Sequence, residues 1–216
     1  MRKILLVTFI LLFCVAKSNA QSVYFPSEEG VTLEYVNKNA KDKVTGYIAY
    51  KFQNVDFQDD LNFTVKYQML MMDGKRKETM SPIDATVKVV NGTVYMDAAS
   101  ALGNIVENFE IKGNGLVIPS DVIAGQKLDD ISASLGTVVT STCTNVTVTG
   151  EEQLTTDAGT FDTVRIDMDM SGKALFIKFE GTSTQWYAKG IGHVRTISYD
   201  KKGKVSSSME LVKLSR

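Results

Sequence analysis

The chain holds one histidine and two cysteines, so chemistry that needs several nitrogen or sulfur donors has little to work with. His193 sits in Gly190-Ile191-Gly192-His193-Val194-Arg195. A catalytic histidine must touch a nucleophile and be held by a carboxylate, and nothing in the sequence identifies either partner. The ring is therefore expected to be structural or solvent-facing. A zinc site wants three or four nitrogen or sulfur ligands, which His193 and Cys143 do not furnish, so neither a metal nor a cofactor is predicted. Cys143 lies among Thr and Val and reads as a buried, inert thiol.

Carboxylates are more plentiful. Asp167 and Asp169 alternate along a strand and share one face, about 7 Å apart by strand rise, while Asp59-Asp60 and Asp129-Asp130 are adjacent pairs. A glycosidase uses two carboxylates at comparable separation in a cleft. Exposed strand faces carry the same charges for solubility, so a hydrolase with a cryptic carboxylate site ranks third among the functional readings. Phosphate loops, dinucleotide fingerprints and nucleophile elbows are absent, and the reading leans away from an enzyme. Residues suited to binding are aromatic and thioether side chains: Trp186, Tyr187, Tyr67 and Met69 are the candidate walls of a ligand groove. Asp162-Thr163-Val164 resembles the O-glycosylation acceptor of exported Bacteroides-type proteins, and Thr163 is predicted to face outward because it alternates with Val164.

These residues must be positioned mainly by strands. Leu61, Phe63, Val65, Tyr67, Met69 and Met71 alternate with polar residues, as do Ile48, Tyr50 and Phe52; Val164, Ile166, Met168 and Met170; and Leu175, Ile177 and Phe179. One apolar face per strand implies antiparallel pairing. Asn91-Gly92, Asn114-Gly115 and Asp73-Gly74 suit tight hairpins, and Asp200-Lys201-Lys202-Gly203 suits a longer one joining the last two strands. A short helix is predicted after Asp97, where Leu102, Ile105, Val106 and Phe109 fall at helical spacing. The fold class is mainly all-β: a single strongly curved antiparallel sheet, open barrel or sandwich of about ten strands, with at most one or two short helices.

The chain has 216 residues, 44% of them hydrophobic, with 24 basic against 25 acidic side chains. That balance gives no footing for non-specific nucleic-acid binding. Arg2 and Lys3, the apolar stretch from Ile4 to Ala16 and the small residues Ser18-Asn19-Ala20 read as a signal peptide cut after Ala20. Phe13 directly before Cys14 argues against lipidation there. Residues 1–20 are thus a leader and 21–216 a single β-rich domain, with no transmembrane span after cleavage. Loss of Arg2, Lys3 and Lys17 leaves 21 basic against 25 acidic side chains and one cysteine, so the mature chain is mildly acidic and has no intrachain disulfide. It is expected in the periplasm, at the cell surface or secreted.

Three stretches carry a resemblance: Tyr24-Phe25-Pro26 with Glu29-Gly30 and Leu33-Glu34-Tyr35; Ala158-Gly159-Thr160-Phe161-Asp162; and Trp186-Tyr187-Ala188-Lys189-Gly190-Ile191-Gly192. In order and spacing they resemble the uncharacterised exported β-rich proteins of Bacteroides-like bacteria grouped as the TapB-like family. The resemblance implies a periplasmic or surface domain and no established activity. The leading reading is a non-enzymatic domain holding an apolar or saccharide-like ligand in the concavity of its sheet, with a lipid or glycan as partner. The main alternative is a structural or assembly component that meets an envelope protein through a strand edge.

Overall fold

Alternating apolar and polar residues form strands here because each strand can lay one face on a common core and the other in water. The computed structural model describes residues 22–96, 111–136 and 138–216. Its strands are β1 (Thr32–Asn39), β2 (Val44–Asp59), β3 (Asn62–Asp73), β4 (Ile83–Val90), β5 (Thr93–Tyr95), β6 (Ile111–Lys112), β7 (Val117–Ile118), β8 (Ile131–Leu135), β9 (Val139–Thr156), β10 (Gly159–Ala174), β11 (Ile177–Ala188), β12 (Gly192–Asp200) and β13 (Val205–Ser215). They form one sheet in the order β6-β8-β9-β10-β11-β12-β13-β1-β2-β3-β4-β5-β7, with every neighbouring pair antiparallel. The all-β, single-sheet expectation holds. The thirteen strands among the described residues exceed the expected ten because β5, β6 and β7 have only three, two and two residues, too few to show a period. No helix occurs among the described residues; the segment after Asp97 that the spacing assigns to a helix lies outside them, as do residues 1–20, which the sequence reading takes as a leader.

The sheet's two edges, β6 and β7, are separated in sequence by residues 113–116 alone. Five residue steps span at most roughly 18 Å, so the sheet curls back toward itself as a half-barrel. This corrects the reading of Asn114-Gly115 as a hairpin. The two short strands around it pair with β8 and β5 instead of with each other, and the Asn114 side chain ties the crossing to β8 through the Asp130 carbonyl and Ser132. Asn91-Gly92 is the tight turn expected, both residues having positive φ between β4 and β5. Gly203 likewise takes the left-handed position between β12 and β13, with the Asp200 carboxylate accepting from the Lys202 and Lys204 amides. Asp73-Gly74 is looser than expected: positive φ falls on Arg76, and Asp73 caps the loop through the amides of Lys75 and Lys77.

Two contiguous apolar clusters line the inner face. One gathers Leu33, Tyr35, Phe52, Val65, Tyr67, Val87 and Leu211, the other Ile118, Val146, Val148, Ile166, Met168 and Tyr187. A smaller third cluster joins Leu154, Trp186, Ala188 and Val194. The N-terminal segment helps to cover one mouth of the half-barrel. Val23, Tyr24 and Phe25 are buried, and the Val23 carbonyl accepts from the Gly190 amide at 2.7 Å.

Candidate functional site

Inside the curl lies a cavity of about 240 Å³, well beyond the room needed for one ordered water. Its walls come from the contiguous strands β11 to β13 and β1 to β4, among them Leu33 and Tyr35 on β1, Tyr50 and Phe52 on β2, Tyr67 on β3, Gln185 and Tyr187 on β11, and His193 and Thr196 on β12. Phe25 and Pro26 of the N-terminal segment close part of it. The aromatic rings pack edge-on or tilted: Tyr35 and Tyr50 have centroids 5.5 Å apart, Tyr50 and Tyr67 5.7 Å, and Phe52 and Tyr67 5.6 Å. Such arrangements contribute about 0.5–1.5 kcal/mol per pair beyond burial, so the wall is stiff.

His193 enters through a β-bulge. Trp186 pairs with Arg195 and Tyr187 with His193, leaving Val194 as the extra residue of β12. The bulge breaks period two and brings His193 and Thr196, three residues apart, to the same inner face. There His193 Nε2 lies 2.6 Å from Thr196 Oγ1, and the ring is flanked by Tyr35 and Tyr187 at 5.5 and 5.4 Å. The Tyr35 hydroxyl donates to the His193 carbonyl at 2.7 Å. Gly192 takes φ +83, a conformation that favours glycine, while a Cβ there would make only ordinary contacts with the Tyr24 carbonyl and the Pro26 ring.

The site carries no charge at neutral pH. Burial pushes the His193 imidazole down to about 4, with a backbone hydrogen bond from the ring to Arg195 opposing more weakly. Burial pushes the Tyr50 hydroxyl up to about 12. The Tyr35, Tyr67 and Tyr187 hydroxyls are also raised, by burial first and the neighbouring Tyr50 second. His193 and Tyr50 still keep part of their surface accessible, which is consistent with rings that are deep in the protein yet border an internal space. The Tyr187 hydroxyl donates to Gln185 Oε1 at 2.6 Å.

Of the four residues expected to wall a groove, Tyr67 and Tyr187 line the cavity. Met69 is buried but does not border it. Trp186 is a correction: as the immediate neighbour of Tyr187 on a regular stretch of strand it points to the other face of β11, where its indole N–H donates to Glu152 Oε1 at 2.7 Å within the third cluster. The outward placement of Thr163 is also corrected. It is 3% exposed, sits directly opposite Ala188, and its Oγ1 donates to the Glu152 carbonyl at 2.7 Å. Facing away from Val164 means facing that third cluster, so a glycan has no room on Thr163 in the folded chain. Sequence reasoning missed Tyr35, Tyr50, Gln185 and Thr196, and assigned His193 to no site.

The carboxylates lie elsewhere. Asp167 pairs with Arg165 at 3.1 Å and Asp169 accepts from Asn145 Nδ2 at 2.7 Å, on the strand face opposite Ile166 and Met168. Among the described residues no group of three or more His, Cys, Asp or Glu is placed to hold a metal ion. Cys143 is half-buried and free, and desolvation raises its thiol pKa.

A model of the DUF3108-like family matches residues 28–211. No curated protein matches the chain. Among solved structures, a protein of Bacteroides fragilis assigned as exported, with a YmcC-like fold, superposes with a TM-score of 0.76 at 17% identity, covering 90% of this chain and 99% of its own. A protein of Parabacteroides distasonis assigned as a lipoprotein gives 0.74 at 20% identity, covering 89% and 98%. At these identities the likeness is one of fold. The match carries the DUF3108-like name and not the TapB-like one.

Proposed function

The chain belongs to the DUF3108-like family, and we propose that within this fold it serves as an exported, non-enzymatic binding domain whose internal cavity holds one small, uncharged, largely apolar ligand. The observation that carries this reading is the uncharged aromatic cavity. Leu33, Phe52, Val87 and Met209 supply apolar wall, while side-chain hydrogen bonding is limited to tyrosine hydroxyls, Gln185, Thr196 and the neutral His193 imidazole. A charged ligand would lose its hydration there and meet no opposite charge. A sugar would leave most of its hydroxyls against carbon, so an apolar ligand with one or two polar groups is favoured over a saccharide. At about 240 Å³ the cavity lies below the usual size of ligand sites, which suits a small ring system or a short chain.

The leader motif, and the assignment of the two neighbours as exported protein and lipoprotein, support a location in the periplasm or at the cell surface after cleavage following Ala20. Native mass spectrometry of the protein purified from its own envelope tests both halves of this reading. The expected spectrum has the mass of a chain beginning at Gln21 plus a neutral adduct that leaves on collisional activation. A bare monomer as the sole species would count against the ligand.

A further inference from the structure

The β10–β11 hairpin ends in a turn that contradicts the usual economy of turns. Leu175 and Phe176 are its two loop residues, and Leu175 has φ 56, a conformation in which glycine is unstrained and a bulky residue is not. Leu175, Phe176 and Ile177 are 61%, 93% and 74% exposed. The turn is nevertheless held firmly: the Leu175 amide donates to the Val138 carbonyl at 2.8 Å, and a Cβ on Gly172 would lie 2.3 Å from the Phe179 ring, so that ring covers the glycine opposite it. A strained backbone that presents three large apolar side chains to water marks a contact made outside the chain.

The charges around the tip indicate what it meets. Lys173 and Lys178 stand directly opposite each other at the base of the apolar turn, where like charges oppose hairpin stability unless something external accepts them. The β12–β13 turn lies alongside, and its Lys201 and Lys202 share one groove with Lys173 and Lys178. The acids in that groove are Glu180 and Asp200, and the Asp200 carboxylate is occupied by two backbone amides. Pairing of β11 with β12 stops at Gly181 and Asp200, so residues 177–180 carry the tip roughly 13 Å further along the strand direction. An apolar apex projecting beyond a collar of lysines matches a bilayer with anionic headgroups, in which apolar side chains enter the acyl boundary and ammonium groups stay at headgroup level.

We propose that this tip docks the domain on an anionic lipid surface. Co-sedimentation with vesicles of phosphatidylcholine alone, and of phosphatidylcholine with phosphatidylglycerol, tests it. The native chain is expected to bind the mixed vesicles and to release as salt is raised. L175G/F176S, which relieves the turn strain and so keeps the chain folded, should bind roughly tenfold more weakly or worse; K201Q/K202Q should lose about fivefold for each lysine. Equal binding by native chain and L175G/F176S would overturn the proposal. So would native chain that ignores both vesicles, including the case in which it self-associates through the tip, seen by light scattering as a dimer that L175G/F176S abolishes.

Discussion

Gly181→Ala is expected to cost the protein about 1–3 kcal/mol, because the clash it creates is with backbone that no rotamer change can relieve. A Cβ at Gly181 would stand 1.9 Å from the Tyr199 carbonyl oxygen and 3.0 Å from its carbon, at the last pairing of β11 with β12. Relief requires the two strands to part, loosening the hairpin pair that carries both Tyr187 and His193. Gly150→Ala is the control. Its new Cβ would meet nothing within 4 Å, so it should be neutral or slightly stabilising. Urea unfolding of the two variants measures the difference; equal midpoints would mean that the close approach of β11 and β12 is not present.

His193 gives the second large effect. The folded chain holds its imidazole neutral down to about pH 4, whereas an unfolded histidine takes its proton near 6.5. Between these values the unfolded state binds more protons than the folded one, so stability falls as pH drops. The contribution is fully present above about pH 6.5, is lost through the window from 6.5 to 4, and changes no further below it. The limit is about 3 kcal/mol for the 2.5 units between those values. Other groups titrate over the same range, so the informative quantity is the difference between native chain and His193→Phe. The native curve should fall more steeply over that window, and parallel curves would mean an imidazole that is hydrated in the folded state.

What the sequence made legible divides along one physical line. Strands with an undisturbed period of two declared themselves, and Tyr67 and Tyr187 could be read as lining the concave face because each is a large aromatic at an inward position. Trp186 and Tyr187 are both large aromatics, but adjacent strand residues face opposite ways, so only Tyr187 reaches the cavity. Thr163 was assigned to solvent because an outward strand face normally is solvent; the third cluster, which depends on Trp186 and Leu154 meeting across separate strands, has no local signal. His193 and Thr196 were invisible as a pair since their three-residue spacing becomes a shared face only through the bulge at Val194. Leu175, Ile177 and Phe179 fit a half-buried strand by pattern, yet Leu175 lies in the turn and all three are exposed, because the chain reverses at that point without the glycine that usually announces it. Tyr35 and Tyr50 carry no local signal of a site, because only the curl of the sheet sets them around a common space.

A guest for that space is the claim on which the functional reading rests. Titration with an uncharged fluorescent probe, N-phenyl-1-naphthylamine, into native chain and into Met209→Trp measures it directly. Met209 is partly buried and borders the cavity, so a larger ring there should occupy the space the probe needs. Saturable binding by the native chain, weakened roughly tenfold or more in Met209→Trp while its urea midpoint is retained, is the predicted result. Absence of saturable binding to the native chain, or equal binding by both, would contradict a cavity built to hold an apolar ligand.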